Sequence, residues 1–267
     1  MMNLEKITDA VITIAQKAGN FIKTERQSFD SSKIEFKGHH SNLVSYVDKE
    51  TEKMLVKELQ LLIPEAGFIT EEATIKQEKK DYCWIIDPLD GTTNFMHDLP
   101  LYSVSIGLMH KDEVVSGVIY DVMHNETFSA WKGGGAYCNT KKIKSSPATT
   151  LTQTLLATGF PYYKFEKMEE YLNILKELMK HCQGLRRCGS AAIDLAWVAA
   201  GRFDGYFEFN INAWDIAAGC LIVEEAGGIT TDFKGGSEHI FGKNIVAGSA
   251  GIHAEFLEIV KRNWFSQ

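Results

Sequence analysis

The chain has 267 residues, 45% of them hydrophobic, which is enough for a large core in one elaborate domain or two small ones. Its 35 acidic against 28 basic residues give a net charge of −7, which argues against broad binding to nucleic acid, an interaction that needs a basic face. The five cysteines, Cys83, Cys138, Cys182, Cys188 and Cys220, are odd in number and include no C-x-x-C pair, so neither a disulfide framework nor a zinc site is expected.

The opening "MMNLEKITDAVITIAQKAGNFIKTE" mixes charged and apolar residues, unlike a signal peptide, and no stretch nears the ~20 apolar residues of a membrane span. A cytoplasmic protein is the expectation. Ile7, Val11, Ile14, Ala18 and Phe21 or Ile22 recur at helical spacing and predict an amphipathic helix to about Glu25. After the polar "DSSKIEFKGHHSN", a second helix is expected to start near Asp48 as N-cap, bury Leu55, Leu59 and Leu62, and stop before Pro64. From Phe68 to about Cys138 the short runs "GFIT", "CWIID", "YSVSIGLM", "VVSGVIYDV" and "ETFSAW" predict a sheet of hairpins and neighbouring strands. The second half alternates. "TLLATGF" reads as a strand, "EKMEEYLNILKELMKH" as a helix, and "GLRRCGS" as a strand running into a helix from Ala191 to Gly201. "DGYFEF" is a further strand, "WDIAAGCLIVEEAGG" a helix closed by glycines, and "NIVAGS" a last strand before a terminal helix. The result is a layered α/β (α+β) arrangement read as a single domain, with a soft internal boundary near residue 145.

The stretch "WIIDPLDGTTNF" ends an apolar strand in two carboxylates three residues apart. On local rules alone Pro88 and Gly91 make a turn, and Asp87 and Asp90 shape it and cap a helix beginning at Thr92. Other carboxylates also fall at element ends: Glu71 and Glu72 after "GFIT", Asp48 and Asp215 at helix starts, and Glu208 in "YFEF". Magnesium takes hard oxygen ligands, commonly one or two carboxylates plus water and substrate phosphate. Two such ions ~3.5 to 4 Å apart can clamp the attacking and leaving oxygens of a phosphoryl transfer, which requires a bridging carboxylate. Asp87 and Asp90 could bridge, with the amides of Gly91, Thr92 and Thr93 following at a helix start suited to phosphate.

"WIIDPLDGTTNF", the distant "WDIAAGCLIVEEAGG" and the upstream "EE" resemble the inositol monophosphatase family of metal-dependent, lithium-sensitive sugar phosphatases. The likeness spans nearly the whole chain, since "NLVSYVD", "KGGGAYCN", "GLRRCGSAAIDLAWVAAGRFDGYFEFNINAWD" and "GGIT" occur in the family's order. It implies a layered αβαβα sandwich and Mg2+ held by Glu71, Asp87, the Leu89 carbonyl, Asp90 and Asp215. Asp87 and Asp90 match the ligands shared between ions. Thr92 with Asp48 matches the pair that orients the attacking water, beside a metal site that includes Glu71. Gly91 and Thr92 match phosphate-binding amides. Glu208 matches a residue that binds substrate hydroxyls, and Gly189, Ser190, Ala191 and Asp215 complete the substrate pocket. The implied reaction is hydrolysis of inositol monophosphate by in-line attack of water, with no covalent nucleophile. A homodimer is implied as well.

The same chemistry on fructose 1,6-bisphosphate, NADP, histidinol phosphate or another sugar phosphate is the near alternative. A non-catalytic, partner-binding role is the distant one, since a bacterial relative of the family acts with the transcription machinery. His39 and His40 read as a solvated loop beside Lys37, which matches a basic residue on a metal-proximal loop of the family. "WKGGGAYCN" lacks the G-x-G-x-x-G spacing and reads as a hairpin turn. Ser190 reads as an N-cap, Cys188 and Cys220 as space-fillers in apolar surroundings, and Arg186 and Arg187 as a pocket rim or subunit contact.

Overall fold

The computed structural model describes residues 2–29, 35–36, 43–44, 46–160, 162 and 166–266. Lys37, His39 and His40 lie outside the described residues. In chain order the elements are α1 (Leu4–Gln27), β1 (Glu35–Phe36), β2 (Leu43–Val44), α2 (Tyr46–Leu62), β3 (Gly67–Thr70), β4 (Tyr82–Asp90), α3 (Thr92–Met96), β5 (Ser103–His110), β6 (Glu113–Asp121), β7 (Glu126–Trp131), β8 (Gly135–Cys138) and β9 (Lys141–Lys142). The second half adds β10 (Leu155–Thr158), α4 (Met168–His181), β11 (Gly184–Arg186), α5 (Ala191–Ala199), β12 (Gly205–Phe209), α6 (Ala213–Glu225), β13 (Gly228–Thr231), β14 (Asn244–Ser249) and α7 (His253–Trp264).

Strands β3 to β9 form a seven-stranded sheet in chain order, with only the β3–β4 pair parallel. A five-stranded sheet has the order β11-β10-β12-β14-β13, parallel around β10 and antiparallel around β14. The alternation of side chains along each strand sorts the core into layers. Trp84 and Ile86 of β4 pack with Val11, Ala15, Leu55 and Leu59 of α1 and α2, while Cys83 and Ile85 face Ala213 and Ala217 of α6. "CWII" is a continuous apolar run because β4 has a helix layer on each side. In the second sheet Tyr206, Ile245 and Ala247 face α5 and α6, whereas Phe207 and Val246 face α4 and α7. The layers are therefore α1/α2, sheet, α5/α6, sheet and α4/α7, an αβαβα sandwich.

Asn3 caps α1 by accepting from the Lys6 amide, and the helix buries Val11, Ala15, Ala18 and Ile22 on one face, as its periodicity predicts. Helix α2 begins at Tyr46, so Asp48 is its third residue and not its N-cap. Helix α6 begins at Ala213, which places Asp215 inside its first turn, its carboxylate accepting from the Asn212 amide at 2.8 Å. The "KGGG" segment is the expected hairpin turn, and the Glu225 carboxylate holds it by accepting from the Gly133 and Gly135 amides, each at 2.7 Å.

The D-x-x-D corner departs most from expectation. It is a bulged strand end: Asp87 pairs with Ser105 and Asp90 with Ser103, so three steps on β4 oppose two on β5. In a regular strand residues three apart face opposite sides. The extra residue turns Asp90 to the side of the sheet that Asp87 already faces, and Pro88 is tolerated because a bulge needs one fewer ladder donor.

Candidate metal centre and substrate cavity

The site lies where β3 and β4 end, between the two sheets, at the N-termini of α5 and α6. Asp87 is 1% exposed, and its Oδ1 accepts from the Leu89 amide at 2.9 Å. Asp90 was expected to cap the helix at Thr92. It instead holds the start of α5: its Oδ2 accepts from the Ser190 hydroxyl at 2.6 Å and the Ala192 amide at 2.7 Å. Ser190 is the N-cap of α5, as its sequence position predicts, accepting from the Ile193 amide. Carboxylate oxygens of Asp87, Asp90 and Asp215 all lie within 4.8 Å of one another, the one such cluster of three or more possible ligands among the described residues. Glu71 follows β3, anchored by its amide to the Ile86 carbonyl at 3.2 Å, and its carboxyl is in hydrogen-bond contact with Asp87.

Gathering carboxylates raises the cost of ionising them. Burial, then repulsion from Glu71, Asp90 and Asp215, pushes the Asp87 carboxyl well above the usual carboxylate range. Burial pushes Asp90 up to about 6 against the pull of the Ser190 and Ala192 hydrogen bonds. Burial and the Asp90 charge push Asp215 up to about 7. These residues fit a metal: the donor set is entirely oxygen, which suits hard divalent cations over zinc or copper, and a cation would relieve the repulsion.

Beside the carboxylates, the Thr92 hydroxyl has two acceptors in reach, Asp48 Oδ1 at 2.8 Å and the Leu89 carbonyl at 3.0 Å. Its single proton serves the nearer, so its lone pairs remain to accept from another donor. Asp48 is completely buried. Gly91 starts α3 at φ 93°, where a Cβ would also come within 2.8 Å of the Leu101 carbonyl, so glycine is required. Helix α3 begins at Thr92, as expected, and spans five residues. Asn94 of α3 donates to the Leu101 and Cys188 carbonyls, tying this turn to the loop that carries Gly189.

A cavity of about 200 Å³, as bounded by the described residues, opens onto Asp90 and Asp215 and is lined further by Gly189, Ser190, Ala191 and Glu208. Every substrate residue expected there except Gly91 and Thr92 lines it; those two sit at the adjoining end of β4. Its size suits a small polar ligand, being below the ~300 Å³ at which drug-sized sites begin. Glu208 shares a face of β12 with Tyr206, whose hydroxyl donates to it. Burial pushes Glu208 up to about 7 against that hydrogen bond. Its carboxylate also lies where a Cβ on Gly159 would sit, only 2.0 Å from the carboxyl carbon.

The sequence reading missed Tyr206, Asp194 and Glu52. Asp194 lines the cavity, and the Cys188 thiol is in hydrogen-bond contact with its carboxyl. Cys188 is therefore more than a space-filler: burial and the Asp194 charge push its thiol up to about 12. Arg187 lines the cavity and stacks over Tyr162, while Arg186 points to solvent. Spacing alone signals Tyr206, two residues before Glu208 on one strand face.

The family model for the inositol monophosphatase family matches residues 3–264. The chain belongs to the inositol monophosphatase family. It is 42% identical to Nus factor SuhB of Escherichia coli over 247 residues, 92% of each chain. It is 37% identical to inositol-1-monophosphatase of Mesorhizobium japonicum over 257 residues, 96% of each. The crystal structure of extragenic suppressor protein suhB from Bartonella henselae superposes with a TM-score of 0.91 at 38% identity, covering 96% of this chain and 99% of that one. Membership makes this chain one of a family of metal-dependent phosphatases acting on phosphate esters, and no described helix is long and apolar enough to cross a membrane.

Proposed function

We propose that the chain is a magnesium-dependent phosphatase that hydrolyses inositol monophosphate to inositol and phosphate. The observation that carries this reading is the meeting of Asp87, Asp90 and Asp215 beside the Thr92–Asp48 hydrogen bond. Glu71, Asp87, the Leu89 carbonyl, Asp90 and Asp215 would hold the Mg2+. Bound magnesium supplies activation of water and neutralises charge on the phosphate and the leaving oxygen. The Thr92 hydroxyl, its proton committed to Asp48, accepts from the attacking water and aims it at phosphorus. The amides of Gly91 and Thr92 face the phosphate oxygens as charge develops there. Glu208, held by the Tyr206 hydroxyl, binds substrate hydroxyls across the cavity, with Gly189, Ser190 and Ala191 forming its wall. Ser190 supplies no nucleophile, since its hydroxyl is committed to Asp90. The name of the Mesorhizobium relative supports inositol monophosphate as substrate. Family likeness supports a cytoplasmic homodimer.

Phosphate release should be measured with and without Mg2+ on inositol 1-phosphate, fructose 1,6-bisphosphate, NADP and histidinol phosphate, with lithium as inhibitor. Magnesium-dependent, lithium-sensitive release, fastest from inositol 1-phosphate, is expected; faster turnover of another ester would move the substrate and keep the chemistry. Release from none would favour a second reading, a partner-binding role, which the name "Nus factor" on the Escherichia coli relative supports.

A further inference from the structure

Glu52 is a completely buried carboxylate on α2, one helical turn after Asp48. A buried carboxylate is tolerated only when donors surround it, and three neutral donors do so here. The Glu72 amide donates to Oε2 at 2.7 Å, and the Thr74 amide and hydroxyl both donate to Oε1 at 2.7 Å. All three come from the short segment after β3 whose first residue is Glu71. Between the two held residues, Ala73 has φ 51°, a left-handed conformation that a non-glycine residue keeps only when its neighbours impose it.

Residues 48 and 52 share one face of α2. Asp48 reaches the first residue of α3, just beyond β4, by accepting from Thr92, and Glu52 reaches the segment after β3. The backbone of Glu71 is fixed on its other side by the bond from its amide to the Ile86 carbonyl of β4. Glu71 is therefore held between β4 and the Glu52 carboxylate, with its own carboxyl against Asp87.

We propose that Glu52 is a positioning residue for the metal centre: by gripping the 72–74 segment it holds Glu71 at the distance from Asp87 that binds a divalent cation. This rests on the assignment of Glu71 as a metal ligand. Partners behind a metal's direct ligands orient them, and their loss commonly weakens metal binding. Glutamine at position 52 keeps one acceptor but sets an NH2 against either the Glu72 or the Thr74 donors, so the grip is lost without a change of volume.

The test is calorimetric titration of the full-length protein with Mg2+, comparing wild type with Glu52→Gln and Glu71→Gln, alongside kcat at saturating Mg2+ and the thermal midpoint. Glu52→Gln is expected to weaken Mg2+ binding about 10- to 100-fold, while kcat at saturating Mg2+ stays within about threefold of wild type. If Glu71→Gln weakens Mg2+ binding and Glu52→Gln does not, the proposal is overturned and the metal centre stands. If Glu71→Gln also leaves binding unchanged, the ligand assignment itself fails and the proposal with it. A fall in kcat and thermal midpoint at unchanged Mg2+ affinity would mark Glu52 as merely structural. Should Glu52→Gln fail to fold, Thr74→Val removes only the hydroxyl donor; a several-fold weaker Mg2+ affinity is expected, and wild-type affinity overturns the proposal.

Discussion

Removing divalent cations should leave a protein whose stability falls as pH rises through neutrality. Glu208 and Asp215 titrate at about 7 in the fold, against ~4.3 and ~3.9 in an unfolded chain. Between those values the folded state holds protons that the unfolded state has released, so the contribution is complete below about pH 4 and is lost as pH rises through 7. Burial lowers the pKa of His239 and His253, which acts in the opposite sense, but chiefly below about pH 6.5, where unfolded histidine is protonated. From pH 6.5 to 8 the carboxylates dominate. A group titrating at about 7 has on the order of 1 kcal/mol still to lose over that window. Because the Asp215 charge is part of what raises Glu208, and the tail of the histidine titration opposes both, the two together give a net loss on the order of 1 kcal/mol. For a chain of this length the thermal midpoint should fall by about 2–4 °C. The upward shifts of Asp87 and Asp194 act in the same direction. Thermal melts in chelator at constant ionic strength, at half-unit steps from pH 6.5 to 8, measure this. In saturating Mg2+ the trend should weaken or reverse, because the cation displaces the protons held by Asp87, Asp90 and Asp215. A metal-free midpoint that is flat or rises across the window would refute the reasoning.

Thr92→Ala should lower kcat by about 100-fold or more, the usual range for a group that directs proton transfer at the reacting water, with little change in KM; a change confined to KM would exclude that role. Asp90→Asn should cost orders of magnitude in turnover with the fold intact by circular dichroism, and near-normal turnover at saturating Mg2+ would sink its assignment as a shared ligand. Gly159→Ala would set a methyl group 2.0 Å from the Glu208 carboxyl carbon and displace that side chain. KM should rise by about tenfold, the loss of one ~1.4 kcal/mol contact, while Mg2+ affinity measured by calorimetry stays put; an unchanged KM would remove Glu208 from the substrate site.

Periodicity is legible wherever burial enforces it. Val11, Ala15, Ala18 and Ile22 make the inner face of α1, and the apolar run of β4 reflects a helix layer on each side. The candidate site residues come from resemblance, and the order of elements is consistent with the sandwich that resemblance implies. Local rules misplaced some of their roles. Asp90 resembles a cap for Thr92, but its hydrogen-bond partners are Ser190 and Ala192, a hundred residues on, and no local pattern encodes such a contact. The bulge that turns Asp87 and Asp90 to one side depends on pairing with β5, so "DPLDG" alone reads as a turn. The burial of Glu52 is not legible in the sequence, because a glutamate on an amphipathic helix ordinarily faces water; only the return of residues 72–74 onto α2 buries it. Asp48 resembles an N-cap in the sequence, and Asp215 marks only a helix start, since a carboxylate in the third position of a helix is hard to tell from one at the cap.

Metal occupancy tests the central point most directly. Crystals soaked in Mn2+, a stand-in for Mg2+ with a strong anomalous signal, should show anomalous peaks within coordination distance of Asp87, Asp90, Asp215 and Glu71. Peaks elsewhere, or none at these carboxylates at millimolar Mn2+ and pH 8, would contradict a metal-dependent phosphatase built on this cluster.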